Sequence, residues 1–457
     1  MVTQLSVLFF ISALAMVWMR NYQSFPRLAR KLLCIAPFLP LVSLLNHNLD
    51  HDHWGTATRV VPMYVALILL LLSLLVWRAR GAALRWGSAE LFVLLYIGFC
   101  AAQIPGSLDP AWTLCSWSWS VPGYLLFLMA GRATSSEEFY RDRWPVWTLL
   151  GFAGISVALI MTGLLTGRAD DLFHTRNFGS IYASNALLLF LTVFVSLCWV
   201  TVRTSVPWSF TILLVSALCM LLSLSRTATL TLAVYLLVAF TGAQRYLKRA
   251  VLASILVLAT LGAGLVLAGK RLDLDVQLLE AWSDRFYGGD YSGAYSAARE
   301  LRDTKFSYFH DRVWRDVPWH GQGYGTFRHF SDYTDAHNLL ITEAFENSLL
   351  AALLLVLAYS LPKLIRALFV AELRPVALSA LGFILLGQIT GGMLAFRAEG
   401  AYYTAYPGWT VFYLVGFLSG QLRLRSHRAG VLIPPAPAIL DGDAKIPAMP
   451  TTWLLSE

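Results

Sequence analysis

Runs of about twenty apolar residues recur along the whole chain, and no other feature limits its fold as strongly. An α-helix rises about 1.5 Å per residue, so ~20 apolar residues cover the ~30 Å hydrocarbon core of a bilayer. Such stretches lie near 2–19, 32–46, 59–77, 87–105, 113–131, 144–166, 179–201, 208–224, 228–243, 250–269, 338–361, 376–396 and 407–422. They predict thirteen spans, or twelve in view of the short second stretch and the break at Ser225–Thr227. Charged residues make up 14% of the 457, against roughly a quarter in an ordinary soluble chain. A membrane β-barrel would show short segments of alternating polarity instead. Inside hydrocarbon every backbone polar group must be paired within its own segment, so the spans are expected to be helices. The first stretch lacks a basic leader and a small-residue cleavage site, and reads as a retained helix.

Lysine and arginine in short loops set the expected orientation. Arg20, Arg27, Arg30 and Lys31 crowd one loop, Arg78, Arg80 and Arg85 another, and Arg132, Arg141 and Arg143 a third. Arg245, Lys248 and Arg249 mark a fourth, Lys363, Arg366 and Arg374 a fifth, and Arg423, Arg425 and Arg428 the tail. These are expected on the cytoplasmic side, which puts loops 47–58, 106–112, 167–178 and 270–336 outside, and the N-terminus outside for thirteen spans. The net charge of +8 arises from the cytoplasmic loops and suits anionic lipid head groups rather than nucleic acid. The expected organisation is transmembrane helices over 1–269, a large polar loop over 270–336, C-terminal transmembrane helices over 337–423, and a Pro- and Ala-rich, disordered tail over 424–457. The five cysteines (Cys34, Cys100, Cys115, Cys198 and Cys219) all fall in apolar stretches, and neither a disulfide framework nor a zinc site is indicated.

The insertion at 270–336 is too long for a connection without a role. Its middle shows a helical recurrence of Tyr295, Ala298, Leu301, Phe309 and Val313, ending at Pro318. Gly321, Gly323 and Gly325 then predict a flexible turn. Four arginines near this outer face are candidates for binding an anion. Arg226 lies between two apolar stretches, where an arginine costs up to ~3 kcal/mol unless it faces a cavity or a partner. The plain alternative is a side chain reaching the head groups. Arg176 stands at another outer helix mouth, where a guanidinium grips phosphate with two parallel bonds, or pairs with Asp170 or Asp171. Arg302 and Arg285 come from the large loop and could equally be solvated. His337 stands where the loop re-enters the membrane, as a general base near neutral pH or as a helix-end histidine bonded to a carbonyl. His47, His51 and His53 form a weak metal pattern, and His310, His320 and His329 read as surface residues. Arginines beside a membrane interior suit a lipid-linked pyrophosphate, and a histidine suits deprotonation of a sugar hydroxyl. No Asp-x-Asp pair accompanies His337, so no divalent cation is inferred.

Three stretches resemble the O-antigen ligase and polymerase superfamily. They are Arg176-x2-Gly179-x5-Asn185, then Ser225-Arg226-Thr227, then Arg302 through Pro318-x2-Gly321-x-Gly323-x3-Phe327 to His337-Asn338-x-Leu340 with Glu346. The resemblance covers roughly 170–350 and departs from the family at two points: Ser348 stands where a glycine is usual, and Ser184 where a proline is. It implies an all-α polytopic membrane protein of the bacterial inner membrane, a glycosyltransferase of the GT-C type with its active site facing the periplasm. The donor would be O-antigen on undecaprenyl pyrophosphate, and the acceptor a sugar of the lipid A core oligosaccharide. Transfer would be inverting, with no cofactor and no metal. His337 would be the catalytic base. Arg226, Arg302, Arg176 and Arg285 would bind pyrophosphate, supported by Asn338 and Glu346.

A polymerase would use the same donor. The Arg-x10-Gly spacing associated with polymerases occurs at Arg168–Gly179 and Arg312–Gly323. Roughly two such pairs arise by chance at ordinary glycine frequency. The single long loop late in the chain favours the ligase. A transporter for a lipid-linked anion would need arginines through the midplane and an inverted repeat, and neither is seen.

Overall fold

The computed structural model describes residues 29, 31–33, 36–37, 67–76, 86–135, 320–326, 339–390, 398–399, 402–403 and 408–432. These residues are helical almost throughout. The helices are α1 (Leu67–Val76), α2 (Ser88–Gln103), α3 (Pro110–Ala133), α4 (Leu339–Ala358), α5 (Leu361–Leu368), α6 (Arg374–Thr390) and α7 (Gly408–Leu432). A 3-10 turn, Ile104–Gly106, follows α2. Among the described residues the sole sheet pairs Ala398 with Tyr403 and Glu399 with Tyr402. Two segments, Ser88–Gly106 and Leu339–Leu368, are long and apolar enough to cross a bilayer. They fall on the stretches at 87–105 and 338–361, while α3, α6 and α7 fall on those at 113–131, 376–396 and 407–422. The stretches near 2–19, 144–166, 179–201, 208–224, 228–243 and 250–269 lie outside the described residues, as do most of 32–46, the large loop up to 319, and the tail beyond 432.

Local chemistry accounts for the helix starts. The backbone N–H of Gly87 donates to Glu90 Oε2 at 2.9 Å, the return half of a capping box, and so fixes the first turn of α2. Asp109 Oδ1 accepts from the Trp112 amide at 3.0 Å, and Pro110 sits at the first position of α3, where its missing N–H costs nothing. Along α2, Ala89, Val93, Tyr96, Cys100 and Gln103 are buried at alternating spacings of four and three, while Leu91, Leu94 and Leu95 face outward. On α4 the outward residues are Leu349, Leu350, Leu353 and Leu357, and the buried face includes Thr342, Glu343, Glu346 and Asn347. Leucine outside and carboxylates inside reverse the usual order of a water-soluble bundle.

The tightest helix pair is α3 with α7. Small residues let the two backbones meet: a Cβ on Gly131 would strike the Tyr413 carbonyl, and one on Gly416 the Leu128 carbonyl. Gly416 and Gly420 are spaced as in a G-x3-G seam. Trp409, fully buried, lies over Gly123 with its Nε1 donating to the Ser120 carbonyl at 2.9 Å. Its ring packs 5.0 Å from that of Phe127. Tyr124 stacks on Phe412 at 4.8 Å, and Phe412 on Tyr359 at 5.4 Å, which ties α4 to the pair. α7 continues to Leu432, past the expected end of the apolar stretch at 422, and Pro434 follows two positions on.

The bundle has two chemically distinct ends. At one, Leu108 N–H donates to the Gln322 carbonyl at 2.9 Å, joining the α2–α3 connection to the glycine turn. At the other, Arg132 pairs with Glu90 at 2.7 Å, Lys363 Nζ reaches Ser88 Oγ at 3.4 Å, and Arg425 pairs with Glu372 at 2.8 Å.

Candidate functional site

α4 breaks at Ser348, whose φ of 84° and ψ of 164° belong to a region occupied almost only by glycine. An unbroken helix would offer the carbonyls of residues 345–347 to the amides of residues 349–351. Here each meets a donor from elsewhere. Gln322 N–H bonds the Phe345 carbonyl at 3.2 Å, and Gly323 N–H the Glu346 carbonyl at 2.7 Å. Gln103 Nε2 bonds the Asn347 carbonyl at 2.9 Å. Backbone acceptors are thus satisfied across a kink inside a helix, as burial demands.

The glycine turn fits because of what its residues lack. Gly321, Gly323 and Gly325 have φ of 77°, 108° and 79°, which disfavour any side chain. A Cβ on Gly321 would strike the Glu346 carbonyl, and one on Gly323 the Ser107 side chain. Trp112 Nε1 donates to the Gly325 carbonyl at 3.0 Å, and Thr326 Oγ1 closes back on the Gly323 carbonyl. The expected flexible turn is instead bonded on both flanks, to α4 on one side and to the start of α3 on the other.

Polar side chains collect where these elements meet. Glu343 is fully buried, and its Oε2 accepts from Tyr96 Oη and from Asn347 Nδ2, each at 2.8 Å. Glu346 is buried beside it, one position short of Asn347. Gln103 Oε1, Thr113 Oγ1, Ser116 Oγ, Asn347 Oδ1 and Ser348 Oγ have no hydrogen-bond partner among the described residues. Burying an amide or hydroxyl without a partner costs about 1–3 kcal/mol, so such a concentration marks a place kept polar for a reason other than packing. The arrangement can hold water or the hydroxyls of a polyol, since it presents acceptors and hydroxyls together. Among the described residues no group of three or more His, Cys, Asp or Glu is suited to holding a metal.

Of the site residues expected from sequence, Glu346 is described, at 1% exposure and directly against the glycine turn. His337, Asn338, Arg226, Arg302, Arg176 and Arg285 lie outside the described residues, as do His47, His51 and His53. α4 begins at Leu339, two positions after the histidine. Sequence reasoning missed Glu343, Tyr96, Gln103 and Asn347. A signal existed, for Glu343, Glu346 and Asn347 share a face at i, i+3 and i+4 of an apolar stretch, where ionisable groups are rare without a function.

The described residues thus form an almost wholly helical bundle with two helices of membrane-crossing length and a polar, kinked interior at one end. No family model, curated protein or solved structure matches the chain.

Proposed function

We propose that this chain is an O-antigen ligase of the bacterial inner membrane. It moves O-antigen from undecaprenyl pyrophosphate to a sugar hydroxyl of the lipid A core oligosaccharide, at the periplasmic face of a polytopic helical domain. His337 takes the proton of the acceptor hydroxyl, whose oxygen attacks the anomeric carbon. The bond from that carbon to the pyrophosphate oxygen breaks, with inversion, and Arg226, Arg302, Arg176 and Arg285 carry the charge that leaves. Asn338 and Glu346 support the base.

One observation above all favours this reading. Two parts of the third motif, Pro318-x2-Gly321-x-Gly323 and Glu346, are far apart in sequence yet joined by the 2.7 Å bond from Gly323 N–H to the Glu346 carbonyl. Ser348, standing where the superfamily has glycine, carries a glycine-like backbone at the same spot. Gly321, Gly323, Glu346 and Ser348 therefore belong to one feature, and in sequence His337 precedes the first residue of α4 by two positions.

The test supplies purified protein with lipid-linked O-antigen, with and without lipid A core. Ligation that depends on the core is expected. Lengthening of the lipid-linked glycan without it would make the protein a polymerase. His337→Ala should reduce transfer by about a hundredfold or more, the usual contribution of a positioned base, while detergent-solubilised protein melts as the wild type does. Wild-type rates in that variant would remove the histidine from the mechanism.

A further inference from the structure

We infer that the end of the bundle opposite the glycine turn is a binding site for the head group of an anionic phospholipid, seated on α5. Six basic residues converge there: Arg132, Lys363, Arg366, Arg374, Arg423 and Arg425. Arg132 and Lys363 both meet the start of α2, at Glu90 and Ser88. Two carboxylates among the described residues answer them, and both are engaged: Glu90 by Arg132 at 2.7 Å, and Glu372 by Arg425 at 2.8 Å. Lys363 donates to the Ser88 hydroxyl and shares the field of Glu90, and Arg374 donates to the Leu368 carbonyl. Arg366 and Arg423 have no acidic partner among the described residues. Among the described residues the balance at this end is therefore cationic.

The surroundings fit the head group of a lipid. α5 is eight residues long, about 12 Å, and too short to cross hydrocarbon. Leu364 and Ala367 bury one side of it against the bundle, Lys363 is half-buried at its flank, and Arg366 is exposed on the other side. Ile365 is 50% exposed and Phe369, just past the helix, is 81% exposed. Trp86, at the start of α2, is 55% exposed on the same end. Exposed aromatic and aliphatic groups interleaved with cations are what an interfacial helix offers to acyl chains and phosphates together. A soluble anion would give Phe369 and Ile365 nothing to cover them.

The inference rests on the membrane reading but not on any enzymatic activity. Alkaline carbonate should leave the full-length protein in the membrane fraction, and release by carbonate would defeat the membrane reading itself. The site is tested on protein reconstituted in nanodiscs of phosphatidylcholine and phosphatidylglycerol in equal parts, with retained lipid counted by native mass spectrometry. Wild type should retain phosphatidylglycerol preferentially. Lys363→Gln and Arg366→Gln should each lower that preference about fivefold, the effect of one cation near an anionic surface, and Lys363→Arg should keep it. Arg366 is exposed, so Arg366→Gln serves even if the half-buried Lys363→Gln proves unstable. Equal retention of both lipids by the wild type would overturn the proposal, as would an unchanged preference in Arg366→Gln. So would inorganic phosphate stabilising lipid-free micelles of the protein as strongly as phosphatidylglycerol does.

Discussion

Ser348 shows how one residue reports on its surroundings. A serine at φ 84° and ψ 164° persists only because the elements around it over-determine the backbone. Ser348→Gly should therefore stabilise the protein, by about 1 kcal/mol or more, as strain of this kind amounts to ~1–3 kcal/mol. Its thermal midpoint in detergent reads this directly, and a lower midpoint would mean that the buried hydroxyl serves some contact. Tyr96 makes the opposite case. Its hydroxyl donates to the fully buried Glu343, and Tyr96→Phe should cost about 1–3 kcal/mol by leaving that carboxyl short of a donor. Glu372 is open to water, and the hydrogen bond from Arg425 holds its carboxyl below the ordinary carboxylate range. A depressed folded value means that the contact contributes above the unfolded carboxylate range and is lost as pH falls through the folded value. The small stability gap between wild type and Glu372→Gln should close on acidification, as parallel thermal melts at several pH values would register.

Among the elements, α3 and α7 depend on glycine for contact, whereas α2 and α4 are tied by hydrogen bonds from side chains of α2. The first pair should tolerate no added volume. Gly416→Val would push α7 off the Leu128 carbonyl, at a cost of about 1–3 kcal/mol or more, visible as a lowered midpoint or lost expression. The glycine turn, Gln103 and the kinked part of α4 form a third kind of joint, in which backbone groups do the fastening. The sequence shows where these elements lie, because the apolar stretches at 87–105, 113–131, 338–361 and 376–396 carry their own length and composition. It does not show which of them touch. Gly123, Gly131, Gly416 and Gly420 look alike in sequence to glycines such as Gly98 and Gly106, which have open space around them.

At the scale of the molecule, the described helices arrange basic residues at one end and the glycine turn at the other. Cysteines introduced at Leu108 and at Phe369, both exposed, should be labelled by an impermeant thiol reagent from opposite faces of oriented vesicles, with the native cysteines replaced. Labelling of both from one face would dispose of the spanning arrangement. Composition and apolar length by themselves determined the helical class, because it follows from local burial in lipid and from backbone pairing within each segment. The basic loops likewise carried their charge pattern openly. Only the tertiary structure decided that Glu343 lies under Tyr96 and that Gly323 fastens to Glu346. It also decided that Ser348 adopts the backbone of a glycine. Those contacts join residues more than twenty positions apart or bend a helix against its own propensity, and their energies exist only once the helices are side by side.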